Sequence, residues 1–306
     1  MYILAEIRLL HHRQLILKKI VQHFQHGSVQ GVRLGFSPVR WVEPFTVCLY
    51  FVDGLLVDTA QRHMQREVGE LVKSLDVQQI FLTHYHEDHS GNVRYLRDSL
   101  RVPVYASKRT AQRVADSFRV LPYEQFWFGK IEPCPQVQPM PEVICTEQYQ
   151  FRPIYTPGHS DDHHLLHEAN EGWLLAGDFY VGKLKIFRRG EDIRQHIESA
   201  RKVLTLDFEV IFCAHNPVFK EGKKALRAKL DYLEAIYGNV ARLYHKDLSE
   251  KEIQARLGMK EATLVKWLTF HDVSVRNIIR SVIENERAER RPTTEVVKIK
   301  KDTFAG

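Results

Sequence analysis

Cysteine is scarce in this sequence, and no two cysteines stand at the spacing of a metal-binding or redox pair. Only four of the 306 residues are cysteine, and no Cys-x-x-Cys pair occurs. This pattern excludes a disulfide framework and a cysteine-only zinc site. We therefore expect a protein of a reducing compartment, the cytoplasm. The four residues are Cys48, Cys134, Cys145 and Cys213.

Long apolar runs are also missing, which argues against a membrane span. No run approaches the roughly 18–20 apolar residues that a transmembrane helix requires. The first 28 residues instead repeat apolar side chains at helical spacing, between basic residues and histidines. We predict an amphipathic helical extension over residues 1–30 that packs on the body or on a partner. Glu6 and Arg8 interrupt its apolar face, so it does not fit a secretory signal.

Neither sign of charge dominates the chain. Lys and Arg number 44 against 38 Asp and Glu, which gives a net charge of +6. The hydrophobic fraction of 44% and the charged fraction of 27% are those of a folded globular protein. Part of the positive excess lies in residues 291–306, which we interpret as a solvated basic tail. Charge therefore gives only weak support for nucleic-acid binding.

From residue 31 the pattern changes to short β-rich runs that alternate with helical spacing. The run 45–60 contains Asp53-Gly54, a pair that favours the turn of a β-hairpin. The Pro-rich segment 132–143 fits neither a helix nor a central strand, and we interpret it as the connection between two halves. This order predicts an α/β layered domain that ends near residue 217. Its other predicted elements are helices over 61–75 and 91–99 and strands over 78–84, 101–107, 150–156, 163–167, 172–177 and 209–214.

The stretch 82–92, LTHYHEDHSGN, places three histidines and two acids at the end of a predicted strand. His84 and His86 are two residues apart, so their side chains can converge on one ion, while Asp88 and His89 point to a neighbouring position. Imidazole and carboxylate together suit Zn²⁺. A solvated, histidine-rich turn is the alternative. A metal site here needs further ligands from other strand ends.

Three other predicted strand ends carry a residue of the required type. His159 stands in YTPGHSDDH, Asp178 follows a glycine in LLAGDFYVG, and His215 follows an apolar strand in VIFCAHNPV. Each of them, taken singly, also fits a polar residue that caps a turn. Taken jointly, they supply the ligands that the histidine-rich stretch lacks.

These motifs resemble those of the metallo-β-lactamase superfamily, with THYHEDH, TPGHS, AGD and AHNP in succession over residues 31–220. The resemblance implies a four-layer αβ/βα sandwich with a dinuclear zinc site at the edge of its two sheets. It also implies that Asp178 bridges the two ions and that Asp58 supports the histidine loop from behind. The other implied ligands are His84, His86 and His159 for the first ion, and Asp88, His89 and His215 for the second.

Residues 221–290 have a helical pattern. Apolar positions repeat at three and four over 221–246, and the segment 248–269 contains a capping box, Ser249 with Glu252, and a stop at Gly258. Two helices around a glycine turn resemble a helix-turn-helix, and a packed helical hairpin gives the same pattern. Within the superfamily, the chain resembles the β-lactamase-like branch with a C-terminal all-helical, winged-helix-like domain. Some members of that branch cleave single-stranded RNA, and related proteins hydrolyse thioesters or lactones.

The resemblance implies a metal-dependent hydrolase acting on a small-molecule substrate. Two zinc ions lower the pKa of a shared water, which attacks an ester, thioester or lactone carbonyl, and Asp88 holds this nucleophile or passes on its proton. The segment FYVGKLKIFRRG after Asp178 argues against a glutathione thioester, because it replaces the Gly-, Cys- and Arg-rich segment of glyoxalase-like proteins. Three alternatives stay open: an endoribonuclease that holds RNA with the C-terminal domain, a mononuclear iron oxygenase, and a metal-free nucleic-acid adaptor.

Other polar and aromatic residues near these motifs have two interpretations each. Three histidines beyond His159 fit capping or packing better than metal binding. The aromatic residues of 122–130 fit either the wall or lid of a substrate pocket, or the core. Four basic residues after Asp178 fit either a receptor for an anionic substrate group or a solvated face. These are His163, His164 and His167, and Lys183, Lys185, Arg188 and Arg189.

Overall fold

The computed structural model describes residues 18–39, 41–116, 118 and 120–290, and it contains two facing β-sheets. In the first sheet the strands lie side by side in chain order, and the pairing changes from antiparallel to parallel after the fourth strand. The seven strands are β1 (Lys18–His26), β2 (Val29–Ser37), β3 (Phe45–Val52), β4 (Leu55–Val57), β5 (Gln79–Phe81), β6 (Val104–Ala106) and β7 (Gln138–Pro139).

The second sheet has the spatial order β13-β11-β10-β9-β8, and only its β11–β13 pair is parallel. Its strands are β8 (Ile144–Cys145), β9 (Gln150–Tyr155), β10 (His164–Glu168), β11 (Trp173–Gly177) and β13 (Val210–Cys213). A separate ribbon pairs β12 (Phe187–Arg188) with β14 (Val273–Ser274), which brings the C-terminal part of the chain back to the segment after β11.

Ten α-helices occur in the described residues, and a single 3₁₀ turn, Arg62–Met64, precedes the first. The helices between the strands of the first sheet are α1 (Gln65–Lys73), α2 (Glu87–Ser90), α3 (Val93–Leu100), α4 (Lys108–Asp116) and α5 (Pro122–Phe128). The later ones are α6 (Ile193–Val203), α7 (Gly222–Tyr244), α8 (Glu250–Arg256), α9 (Thr263–Leu268) and α10 (Val275–Arg290).

Three separate apolar clusters define four layers. The cluster between the sheets contains residues from both, among them Phe81 and Phe212. A second cluster lies between the first sheet and its helices, with Ile80 and Leu96. A third joins the second sheet to α6, α7 and α10, with Leu230 as one member. Because β-strand side chains alternate, each buried strand can serve two clusters. The predicted αβ/βα sandwich is confirmed.

The predicted N-terminal helix is wrong where the structure describes it. Residues 18–26 form β1, which pairs with β2 over nine residues, while residues 1–17 lie outside the described part. Ile20 and Phe24 are four residues apart, a spacing that places them on one face of a helix and also on one face of a strand. Both are half-buried, whereas Val21 and His23 between them are exposed. Strand pairing satisfies the backbone of this edge and decides between the two.

The Pro-rich segment 132–143 connects the two sheets, as predicted. It contains β7 at the edge of the first sheet and leads directly into β8 of the second. Pro139 stands in β7, where a residue without an N–H is tolerated because the strand has a neighbour on one side only. The predicted hairpin at Asp53-Gly54 joins β3 and β4 and is likewise confirmed.

The predicted helices after residue 220 are present, and the first of them belongs to the third cluster. Leu226, Leu230 and Leu233 of α7 are buried there together with side chains of β11 and β13. Ser249 and Glu252 form the expected capping box of α8. The short strand β14 interrupts the helical segment. The division at residue 220 and the winged-helix topology stay predictions, and no described helix is long and apolar enough to cross a membrane.

The packing of α7 generates a stability prediction. Leu230→Ala should lower the free energy of unfolding by about 2–5 kcal/mol, because it leaves a cavity between the helix and the second sheet. Chemical denaturation followed by circular dichroism measures this loss. Arg227→Ala, an exposed position on the same helix, should change it by less than about 0.5 kcal/mol. Equal effects of both substitutions would contradict the assigned packing.

Candidate metal centre

The histidine loop follows β5 and turns into the four-residue helix α2. The backbone N–H of His89 donates to the carbonyl of His86 at 3.0 Å, which closes the turn. The carbonyl of His89 in turn accepts from the backbone N–H of Thr59 at 2.7 Å. This second bond ties α2 to the end of β4. The loop is therefore fixed by its neighbours, and its three histidines are buried rather than solvated.

Three imidazole nitrogens converge on one point of this loop. The Nδ1 atom of His86 lies 2.9 Å from Nε2 of His84 and 2.9 Å from Nε2 of His159. His159 comes from the loop after β9 in the other sheet, so the two sheets meet here. The ligand atoms of the three side chains all lie within 4.8 Å of one another, and they could hold one ion.

A second group forms beside the first. The Nε2 atom of His215 lies 3.4 Å from Asp88 Oδ2, and that of His89 lies 3.7 Å from Asp88 Oδ1. His215 follows β13, the strand at the edge of the second sheet. These three side chains also bring their ligand atoms within 4.8 Å of one another and could hold another ion.

Asp178 lies between the two groups and divides its oxygens between them. Its Oδ1 atom is 3.3 Å from Nε2 of His89 and 3.1 Å from Nε2 of His215. Its Oδ2 atom is 3.1 Å from Nε2 of His159. The structure thus brings together all seven side chains that the sequence singled out. Their assignment as ligands of two ions and a bridge stays a prediction.

Hydrogen bonds on the outer side of the rings turn the inner nitrogens toward the site. The Nδ1–H of His89 donates to Asp58 Oδ2 at 2.7 Å, and that of His215 donates to the carbonyl of Thr46 at 2.7 Å. Asp58 is held in place by the backbone N–H of Thr83, which donates to its Oδ1 at 2.9 Å. Such outer partners fix the tautomer, and they leave Nε2 as the free ligand atom.

His159 has an outer partner that the sequence did not indicate. Its Nδ1 atom lies 3.5 Å from Glu191 Oε2, and Nε2 of His196 lies 3.2 Å from the same oxygen. The two imidazoles hold the pKa of the buried Glu191 carboxyl at about 2, against the opposing effect of burial. Glu191 is 32 positions from His159, and only the folding of β12 and α6 onto the second sheet brings them together.

Gly177 allows Asp178 to enter the site. Its φ is +45°, and a Cβ atom at this position would lie 2.7 Å from Thr83 Oγ1 and 2.9 Å from His163 Nε2. The backbone N–H of Asp178 donates to His163 Nε2 at 3.2 Å, and His163 Nδ1 lies 2.8 Å from Thr156 Oγ1. His163 therefore supports the backbone of the bridge and lies outside both ligand groups.

The other two additional histidines also bond to the backbone, in agreement with the capping interpretation. Nδ1 of His164 lies 2.9 Å from the carbonyl of Asp162, and Nε2 of His167 lies 2.8 Å from the carbonyl of Asp207.

A buried lysine on α7, which the sequence did not indicate, supports the backbone that follows Asp178. Lys229 Nζ donates to the carbonyls of Phe179 at 2.5 Å and Tyr180 at 2.7 Å, and burial lowers the pKa of its ammonium to about 8.

The neutral imidazoles and buried carboxylates of the site are suited to bind a cation. Burial holds the pKa of His84 and His86 well below the usual range, so both imidazoles are neutral and each has a nitrogen lone pair that can bind a metal ion. Burial acts on His215 as well, but Asp178 and then Asp88 outweigh it and raise its pKa to about 9. Two buried atoms, Nε2 of His89 and Oδ1 of Asp178, lack a well-aligned hydrogen bond although they face each other. A divalent ion would satisfy both, and the residues present fit such a group.

The sequence model of the metallo-beta-lactamase superfamily matches residues 50–215, more than half of the 306. The chain belongs to the metallo-beta-lactamase superfamily. The match begins in β3 and ends at His215, and it contains all four of the motifs that hold candidate ligands. The N-terminal hairpin of β1 and β2 and the helices after β13 lie outside it.

Relatives in the superfamily carry the names of hydrolases. A hydroxyacylglutathione hydrolase of Pectobacterium carotovorum is 27% identical over 74% of this chain and 81% of its own length. An atrochrysone carboxyl ACP thioesterase of Aspergillus fumigatus is 25% identical over 58% of this chain and 51% of its own. A Beta-lactamase-like protein 2 homolog of Drosophila melanogaster is 27% identical over 55% of this chain and 56% of its own. The chain thus spans about half the length of the insect and fungal relatives.

Solved structures agree on the fold. A metallo-beta-lactamase family protein of Thermus thermophilus matches with a TM-score of 0.59 and 19% identity, over 89% of this chain and 93% of its own. A beta-lactamase domain protein of Burkholderia ambifaria matches with a TM-score of 0.55 and 17% identity, over 72% of this chain and 77% of its own. At these identities the likeness concerns the fold of the superfamily alone.

Arg188 has neither of the two roles predicted from the sequence, a receptor for an anionic substrate group or part of a solvated face. Its guanidinium is engaged by three carboxylates: Glu124 on α5, Asp272 at 3.3 Å and Glu87 on α2 at 3.4 Å. It is therefore neither a receptor for a substrate anion nor part of a solvated face. The neighbouring Lys183, Lys185 and Arg189 are exposed. In α5 the buried Trp127 agrees with the core interpretation, whereas Phe126 is exposed, and the pocket-wall interpretation stays a prediction.

The outer hydrogen bonds generate a prediction on metal affinity. Asp58→Asn should weaken Zn²⁺ binding about 10- to 100-fold at the group of Asp88, His89 and His215, because the amide is a weaker acceptor for the His89 ring. Glu191→Gln should weaken binding at the other group instead. Competition with a chromogenic chelator measures both affinities, and unfolding midpoints exclude a loss of fold. Asp76→Asn, an exposed control, should leave both affinities unchanged. Unaltered affinity in Asp58→Asn would remove this residue from the site.

Proposed function

We propose that this protein is a dinuclear zinc-dependent hydrolase that cleaves an ester, thioester or lactone carbonyl. The observation that carries the proposal is the division of the Asp178 oxygens between two histidine groups. The hydrolase names of the relatives from Pectobacterium and Aspergillus support the reaction class. The proposed ligands are His84, His86 and His159 for one ion, Asp88, His89 and His215 for the other, and Asp178 for both.

The donor set favours zinc and two ions. Five imidazole nitrogens and two carboxylates are borderline ligands that suit Zn²⁺. A mononuclear iron oxygenase would need only His84, His86, His159 or Asp178. It leaves the convergence of Asp88, His89 and His215 without a purpose, although the ligand atoms of these three side chains also lie within 4.8 Å of one another. We therefore prefer the dinuclear hydrolase.

The residues of this chain supply binding and proton transfer. When bound, two zinc ions would lower the pKa of a water molecule and polarise the carbonyl of the substrate. Asp88 accepts the proton of the attacking water and returns it to the leaving group. Its side chain is 14% exposed, whereas that of Asp178 is 6% exposed, so Asp88 faces the opening and Asp178 the interior. Asp58 and Glu191 keep the imidazoles oriented while charge develops.

Metal content is the first test. The purified protein should contain about two zinc equivalents by elemental analysis, because seven side chains exceed the needs of one tetrahedral ion. Asp178→Ala should lose one of these equivalents, since the bridge serves both ions. The control is His245→Ala, a histidine on the surface far along the chain from the site, which should keep the content of the wild type. One iron and no zinc in the wild type would refute the hydrolase.

Turnover is the second test. A panel of chromogenic esters, thioesters and lactones should include a substrate whose kcat falls about 100-fold in Asp88→Asn, because the amide cannot accept the proton. Zinc content is measured alongside to separate chemistry from metal loss. The rate should hardly change between 50 and 200 mM salt, roughly the range in which proteins that bind phosphates lose affinity steeply. Cleavage of labelled RNA with a steep salt dependence, and no ester turnover, would favour the endoribonuclease instead.

A further inference from the structure

Exposed apolar side chains concentrate in two segments of the described residues. The first group lies at the start of β3 and on α5, and the second lies on α9 and the turn that follows it. Phe126 is 53% exposed in the first, and Trp267 and Phe270 are 66% and 72% exposed in the second. We call Phe45, Phe126, Trp267 and Phe270 the apolar rim. Concentrated exposure of this kind marks a binding surface rather than chance.

The first part of the rim is connected to the candidate metal centre through the backbone of β3. Phe45 precedes Thr46, whose carbonyl accepts the Nδ1–H of His215 at 2.7 Å. The Phe45 ring meets that of Trp127 edge to face, with centroids 5.4 Å apart. Trp127 is buried and supports the Phe45 ring from behind, while Phe126 on the same helix is exposed. Phe45 therefore lies one residue from the backbone group that holds His215, and the exposed Phe126 lies on the helix whose Trp127 packs against Phe45.

The second part is fixed to the same place by Arg188. This guanidinium joins Asp272, two residues after Phe270, to Glu87 on α2, which also carries Asp88 and His89. The Tyr123 hydroxyl on α5 donates to Asp272 Oδ2 at 2.7 Å. Phe270 has a φ of +49°, an uncommon conformation for a bulky residue. The turn is thus held beside α5 by charge pairs while its aromatic side chains remain exposed.

We propose that the apolar rim binds the acyl part of the substrate, and that this acyl part is a long aliphatic or aromatic group. The inference rests on the proposed hydrolase function. Water adds its hydroxyl to the carbonyl carbon, the acyl–oxygen or acyl–sulfur bond breaks, and the alcohol or thiol leaves with the proton. The rim supplies binding energy to the part of the substrate that does not react, and so it determines acyl-chain preference. Aromatic walls with few polar groups are typical of such sites.

A series of 4-nitrophenyl esters from acetate to octanoate tests this specificity. A fully buried methylene improves binding about fourfold, and on a half-exposed rim we expect kcat/KM to rise roughly twofold for each methylene. The double variant Phe126→Ser, Trp267→Ser should flatten this rise, so that kcat/KM for octanoate falls toward that for acetate. Val21→Ser, an exposed apolar position on β1 outside the rim, is the matched control and should retain the rise.

Binding of unreactive ketones separates this inference from the hydrolase proposal. Methyl ketones with propyl to nonyl chains carry the carbonyl but no leaving group, and calorimetry gives their Kd with zinc-loaded and with metal-free protein. Affinity that rises with chain length in both forms, and is lost in the double variant, supports the rim even if no ester is hydrolysed. Chain-length dependence that is absent, or is equal in wild type and variant, overturns it. The inference is also overturned if the double variant keeps its ketone binding and loses only the salt-sensitive binding of a single-stranded RNA oligonucleotide.

Discussion

The Asp178 carboxylate is the constraint on which the rest of the site depends. It is a buried anion with imidazole nitrogens from three chain segments within 3.3 Å. A buried charge is costly unless it is paired, and removal of one partner leaves the others uncompensated. The loops after β5, β9 and β13 are therefore held at one edge by the same group. The positive φ of Gly177 and the His163 ring fix the backbone from which this carboxylate extends.

The four layers explain why these loops meet. The central strands of each sheet are buried on both faces, so the polar side chains that follow these strands lie at their ends. The first sheet contributes the histidine loop, and the second contributes His159, Asp178 and His215. Packing of Phe81 and Phe212 in the cluster between the sheets sets the separation of the sheets, and hence how closely side chains from the two sheets approach within each ligand group. Thr46 belongs to the first sheet and bonds to the ring of His215 from the second, which holds the two sets together.

The C-terminal helices are part of this arrangement. Lys229 of α7 donates to the two carbonyls that follow Asp178, and Leu230 beside it belongs to the core of the second sheet. Arg188 joins Asp272 of the same C-terminal segment to the helix of Asp88 and His89. Two independent contacts thus connect the helical segment to the candidate site. One is at the backbone that follows Asp178, and the other is at α2. A change in this segment can affect substrate preference through the position of its aromatic residues.

Residue types and strand patterning were enough to predict which side chains could bind metal and that they follow buried strands, because both are local properties of the chain. His84, His159, Asp178 and His215 were identifiable in this way, as was the layered α/β order. That residues 18–26 form a strand followed only from the fold, since Ile20 and Phe24 fit both the helical and the strand period and the pairing with β2 selects the strand. The roles of Glu191, Lys229 and Arg188 also arose only there, because a charge acquires its role from its partners, and in each case those partners are distant in the chain.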